Sequence, residues 1–80
     1  KHGDYRIDIK STRYKNGRLV TTLKHNPDVD IYILAIIEGN SVEFVGYVKS
    51  DDLYKEENKK DLGRGIGYCL DQHQLSKLKQ

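Results

Sequence analysis

The run Ile31-Tyr32-Ile33-Leu34-Ala35-Ile36-Ile37 carries apolar side chains at both parities. A strand points successive side chains to opposite faces, so such a run asks for cover on both. Its isoleucines disfavour a helix and favour a central strand over Val29 to Ile37. The chain has 80 residues, enough for one small domain. Only two short helical patterns follow the strand, and neither offers a wide apolar stripe. The expectation is a sheet whose cover is incomplete: a single partial domain over residues 1–80, completed by a missing N-terminal segment of the same natural protein or by another chain.

Other elements follow from local patterns. Tyr5 to Tyr14 alternates as a first strand, with Ile7 and Ile9 expected to anchor it in the core. Asn16-Gly17 reads as a type I′ hairpin turn, and Leu19 to Leu23 as the returning strand. Lys24 to Asp28, with the single proline Pro27, reads as a loop. Glu38-Gly39-Asn40-Ser41 turns the chain into a fourth strand, Val42 to Val48, in which Gly46 marks a bulge or a close-packing point. Asp51 to Asn58 suits a short helix capped by Ser50 or Asp51, with Leu53 and Tyr54 facing inward, and Glu56 to Asp61 suits solvent. Asp71 with Gln74, and Leu70 with Leu75, form a capping box and hydrophobic staple that start a helix running to about Leu78. The fold class expected is α/β or α+β: a mixed central sheet of about four strands with a short C-terminal helix.

Net charge is only +2, but it is unevenly placed. Residues 1–27 hold seven Lys/Arg against two Asp, and residues 28–80 hold seven against ten Asp/Glu. A polyanion could lie along the basic half, through Lys1, Arg6, Lys10, Arg13, Lys15, Arg18 and Lys24 with Tyr5 and Tyr14 interspersed. The lone Cys69, flanked by Tyr68 and Leu70, excludes an internal disulfide and suits burial near a short strand. No apolar run reaches the roughly 20 residues that span a bilayer, and the start Lys1-His2-Gly3-Asp4 lacks a signal-peptide core. A soluble protein of a reducing cytoplasm is the simplest expectation.

Within the basic half, Ile7-Asp8-Ile9-Lys10 places a carboxylate and an ammonium two apart, on one face of the strand. Phosphodiester hydrolysis needs a nucleophilic water, charge neutralisation at phosphorus and help for the leaving oxygen. Carboxylates supply these by holding Mg²⁺, a hard ion that prefers oxygen ligands. Asp8 would be one ligand, with the Ile9 carbonyl as a second. Lys10 would orient the water or stabilise transition-state charge, and a base role is open. The bland competitor is a same-face ion pair on an exposed strand, contributing a few tenths of a kcal/mol.

The segments I-D-I-K-S-T-R-Y, V-D-I-Y-I-L-A-I and V-E-F-V-G-Y-V resemble the later half of the PD-(D/E)xK, or restriction-endonuclease-like, nuclease superfamily. The likeness is greatest to small phage or prokaryotic members and covers residues 5–48. Asp8 and Lys10 match the motif's second acidic residue and its lysine. The resemblance implies a mixed sheet flanked by helices and cleavage of DNA with Mg²⁺ or Mn²⁺, in the host cytoplasm if the source is a phage. The family's first acidic residue lies well upstream, and only seven residues precede Asp8, Asp4 being the sole local candidate. The expectation is therefore an incomplete restriction-endonuclease-like core, completed by a missing N-terminal segment or another chain, with a homodimer as a further possibility.

Other residues carry weaker signals. Gly63-Arg64-Gly65-Ile66-Gly67 shares only its glycine content with phosphate loops, although Arg64 could contact a phosphate. His2, His25 and His73 lack zinc-site spacing. Ser11 and Thr12 have no histidine positioned to activate them. A non-catalytic β-rich module that binds nucleic acid, or a protein-interaction domain, is the alternative function.

Overall fold

A computed structural model describes residues 5–22, 28–63 and 65–77. Two three-stranded sheets face each other. The first, in the order β1-β3-β4, joins β1 (Ile7–Thr12), β3 (Ile31–Glu38) and β4 (Ser41–Lys49). The second, in the order β2-β6-β5, joins β2 (Leu19–Thr22), β6 (Ile66–Leu70) and β5 (Lys59–Asp61). A one-turn helix α1 (Ser50–Leu53) and two 3-10 turns, Glu56–Asn58 and Gln72–Gln74, complete the described elements. This is a small mixed domain with strands in excess of helix.

The apolar run forms the central strand β3, as its composition demands. It pairs antiparallel with β4 and parallel with β1. Tyr32 and Leu34 turn inward, joining Leu19, Val48, Leu53, Leu70 and Leu75 in the core between the sheets. Gly39 has φ +60°, so the two-residue Gly39-Asn40 hairpin takes the primed twist that matches the strands. The register shifts at Leu34/Ala35, leaving Val45 as the extra residue of a bulge. Next to it, Gly46 packs against the Ser76 carbonyl and the Leu75 side chain.

The expected β1–β2 hairpin does not form. β1 pairs with β3 and β2 with β6, in different sheets. Gly17 N–H donates to the Tyr14 carbonyl at 2.9 Å, so the turn's central residues are Lys15 and Asn16, and among the described residues only glycines have positive φ. A primed turn is thereby excluded, and Gly17 takes the last position of an ordinary turn, where glycine is common. The connection is held from across the molecule. Gln72 Nε2 donates to the carbonyls of Lys15 and Gly17, each at 2.9 Å.

The C-terminal helix is a single 3-10 turn, shorter than the segment 71–78 read from its capping box. The box itself is present: Asp71 N–H donates to Gln74 Oε1 at 2.9 Å, and Leu70 and Leu75 are buried. Helix ends there because Leu75 is already extended and Ser76 exchanges two main-chain hydrogen bonds with Tyr47. Pairing with the free edge of β4 replaces helical propagation. Asp51–Asn58 likewise divides into α1 and a 3-10 turn, with Lys49 rather than Ser50 or Asp51 at the N-cap. Asn58 is buried and donates to the carbonyls of Asp52 and Leu53, tying the two pieces together. The glycine loop is the β5–β6 hairpin, closed by Leu62 N–H to the Gly65 carbonyl at 2.8 Å. Strand rather than helix follows it, which removes the phosphate-loop geometry.

Within β6, Gly67 sits so close to β2 that a Cβ would collide with the Thr21 carbonyl and with Leu62 Cδ1. Neither neighbouring strand can recede without breaking a ladder. Gly67→Ala is expected to lower stability by about 2 kcal/mol, within the range for overpacking; a denaturant midpoint unchanged from the parent would contradict it.

Candidate functional site

β1 presents Asp8, Lys10 and Thr12 on the face it shares with Tyr32 and Leu34, since the register pairs Asp8 with Tyr32 and Lys10 with Leu34. The orientation reverses the expected one. Ile7 and Ile9, read as core anchors, are each 53% exposed on the opposite face, while Asp8 and Lys10 are half-buried at the margin of the interior. The physical reason lies in β3: its other face carries Ile31, Ile33 and Ile37, so the two isoleucines of β1 extend that apolar surface.

The pair itself is formed. Lys10 Nζ lies 3.0 Å from Asp8 Oδ2, with both side chains 40% exposed, and 5.9 Å from the centre of the Tyr32 ring. Arg6 turns its carbonyl to β3, accepting from the amides of Asp30 at 2.9 Å and Ile31 at 3.2 Å. Main-chain groups alternate in direction along a strand, so those of Asp8 and Lys10 also face β3. Those of Ile7, Ile9 and Ser11 face the outer edge of β1. Among the described residues no strand pairs with that edge. The Ile9 carbonyl is thus directed away from β3, to the outer edge of β1.

Beneath the pair lies a chain of aromatic rings. Tyr32 and Tyr54 meet edge to face at 6.0 Å with their hydroxyls 2.7 Å apart, and Tyr54 meets Tyr68 at 4.9 Å. Burial raises the Tyr32 phenol well above the ordinary tyrosine range, and the hydrogen bond to Tyr54, the Tyr54 charge and the Asp8 charge add to the shift. Sequence reading passed over Tyr32. Its signal was a single polar-tipped residue within an aliphatic run, whose hydroxyl needs a buried partner.

The basic residues distribute along β1 and its turn. Arg6 is exposed at the start of the strand, and Arg13 and Lys15 are exposed beyond its end. Arg18 is committed elsewhere in part: its Nε lies 2.9 Å from Asp71 Oδ1, bracing the turn against the C-terminal segment. Lys24 and Arg64 lie outside the described residues, as do Asp4, His2 and His25. Asp30 and Glu43 do not join Asp8. Asp30 Oδ2 accepts from the Arg6 amide at 2.9 Å, and Glu43 lies on β4, beyond β3 from Asp8.

An oxygen-ligand site for Mg²⁺ needs more donors than this. Among the described residues no three His, Cys, Asp or Glu side chains come together. Asp8, through its second oxygen, and the Ile9 carbonyl are two oxygen donors adjacent on β1, fewer than such a site needs.

Searches against protein-family models, curated proteins and solved structures return no match. Among the described residues no helix is long and apolar enough to cross a membrane.

The tyrosine chain gives a pH test. Unfolded Tyr32 would ionise near about pH 10. Its folded value is higher, so its contribution to stability is whole below about pH 10 and is lost as pH rises through the folded value. Tyr32→Phe is expected to cost about 1 kcal/mol at neutral pH, through the lost hydroxyl pairing. It should also flatten the fall in denaturant midpoint above about pH 10. An alkaline limb as steep as the parent's would exclude Tyr32 as its source.

Proposed function

We propose that this chain carries the D-x-K portion of a metal-dependent DNA endonuclease. The observation that supports this reading is the convergence of the Asp8 carboxylate and Lys10 ammonium at 3.0 Å on one face of β1, a strand whose outer edge pairs with no described strand and takes the Ile9 carbonyl. A pair made for stability alone gains little from such a position, because half-exposed ion pairs contribute about 0–1 kcal/mol.

Asp8 and the Ile9 carbonyl would hold Mg²⁺, or Mn²⁺ in its place, together with a carboxylate from outside the described residues. The ion, when bound, supplies Lewis-acid polarisation of a phosphoryl oxygen and acidifies a bound water. Lys10 places its ammonium where negative charge develops on phosphorus, and it keeps the Asp8 carboxylate turned toward the edge. Arg6 and Arg13 bracket the pair along about 23 Å of strand, or some seven nucleotides at about 3.4 Å each, so a DNA backbone laid along β1 meets a cation on either side of Asp8. Lys15 and Arg18 extend the contact onto the turn. Restriction, repair and phage DNA processing all use such chemistry, and the resemblance to restriction-endonuclease-like nucleases belongs to this reading.

A second reading has its own support. With a single carboxylate at the edge and no three-acid cluster among the described residues, the same basic strand would serve a non-catalytic nucleic-acid-binding module.

Plasmid nicking in Mg²⁺ or Mn²⁺ separates the two. Asp8→Asn and Lys10→Met are each expected to lower the cleavage rate at least about 100-fold, the scale of losing a charge-stabilising group, with stability changed by less than about 1 kcal/mol. Undiminished cleavage by D8N rejects the nuclease. No cleavage by the complete natural protein, with DNA binding retained in its D8N variant, selects the binding module. In either case Arg13→Glu with Lys15→Glu should weaken duplex binding and reduce the slope of log affinity against log salt by about 2.

A further inference from the structure

Between β1 and β2 the residues Arg13-Tyr14-Lys15-Asn16-Gly17-Arg18 carry three cations and no acid. Tyr14 is 78% exposed, more than any other large hydrophobic side chain among the described residues. A lone apolar side chain on a surface needs no explanation. This one is displayed by a turn that is held from several directions. Tyr14 N–H donates to Thr12 Oγ1 at 3.1 Å, and its carbonyl accepts from Gly17 N–H at 2.9 Å. Gly17 lies so close to the end of β1 that a Cβ there would collide with the Thr12 side chain. From the C-terminal segment, Gln72 Nε2 donates to the Lys15 and Gly17 carbonyls, and Arg18 pairs with Asp71. The backbone on either side of the ring is fixed while the ring itself stays in water.

The neighbours of the ring decide what it meets. Arg13 and Lys15, next to it in the chain, are both exposed and attract a polyanion. An aromatic ring between cations matches a nucleic-acid strand, whose phosphates take the cations and whose bases take the ring. Along a duplex the bases stack on one another, so an unpaired base is what offers a face to the ring. An acidic peptide would use the cations and not the ring.

We infer that Tyr14 stacks on an unpaired base, so that a DNA strand lying along β1 is single-stranded where it passes the turn. This rests on the nucleic-acid reading of β1 and adds its substrate class: DNA with a single-stranded arm. Tyr14 is four residues from Lys10. Four residues span at most about 14 Å, which sets the stacked base within about four nucleotides of a phosphate at Asp8 and Lys10.

The chain contains no tryptophan, so Tyr14→Trp supplies an indole that reports on this position alone. Its emission should be quenched on saturation with a short single-stranded DNA and unchanged with the blunt duplex of the same sequence. By fluorescence anisotropy, Tyr14→Ala should weaken single-strand binding at least about fivefold, the low end of what one stacked base is worth, and duplex binding less than about twofold. Tyr14→Phe keeps the ring and should bind as the parent does. Arg13→Glu with Lys15→Glu should weaken both, since each DNA form is held by its phosphates. Tyr14 is exposed, so its replacement leaves the fold intact. Unchanged single-strand affinity in Y14A, equal losses for the two DNA forms, an unquenched indole at saturation, or no binding to either DNA overturns the inference. So does quenching by a glutamate-rich peptide as strong as by the single strand, which would assign the turn to an acidic protein partner. Quenching without cleavage by the complete natural protein rejects the nuclease alone; cleavage without quenching rejects the stacking alone.

Discussion

The parallel pairing of β1 with β3 is the constraint on which the rest of this structure depends. It sets Asp8 beside Tyr32 and Lys10 beside Leu34, and so decides which face of β1 is half-buried. It also forces the intervening chain to cross from one sheet to the other, since two parallel neighbours cannot be joined by a tight turn. β2 is the piece of that crossover with regular structure, and it pairs with β6 instead of returning along β1. A hairpin would have held Asp8 and Lys10 on an interior strand with both edges used. The crossover leaves β1 with one edge unpaired by any described strand, and the candidate chemistry depends on that edge.

Much of the fold could be read along the chain where the signal was local. β3 follows from an apolar run too short and too β-branched for a helix; the β3–β4 hairpin follows from Gly39-Asn40, and the close approach at Gly46 from a lone glycine in a strand. What escaped was pairing at a distance. Asn16-Gly17 has the composition of a hairpin turn, but local turn energies are small beside the burial of Leu19 and Leu70 at paired positions between the sheets. The capping box at Asp71 and Gln74 was correctly legible, yet a cap only starts a helix. Two main-chain hydrogen bonds between Ser76 and Tyr47 ended this one after a turn.

The candidate site shows the same division. That Asp8 and Lys10 share a face was visible from their spacing, because strand geometry allows nothing else. Which face could not be read, because alternation gives a phase only when one side of a strand is apolar and its neighbours agree. Here β3 is apolar on both sides, so either phase of β1 buries something. The phase adopted keeps Ile7 and Ile9 with Ile31 and Ile33, and leaves the two charges at the border of the core, where each retains water and has the other as partner. Burying the isoleucines instead would have turned Asp8 and Lys10 onto the apolar outer face, away from Tyr32.

This choice of phase separates two kinds of surface on one thin layer. On the side of Asp8, charge is concentrated on β1 above Tyr32 and Tyr54, whose hydroxyls pair with each other. On the other side, β1, β3 and β4 present a broad apolar surface to which these strands bring no carboxylate. A three-stranded sheet gives little insulation between such sides, because every backbone shift in β1 moves both Asp8 and Ile9. Rigidity of that supporting strand matters to any chemistry at the edge, since misplacement by even about 1 Å can cost about 100-fold in rate.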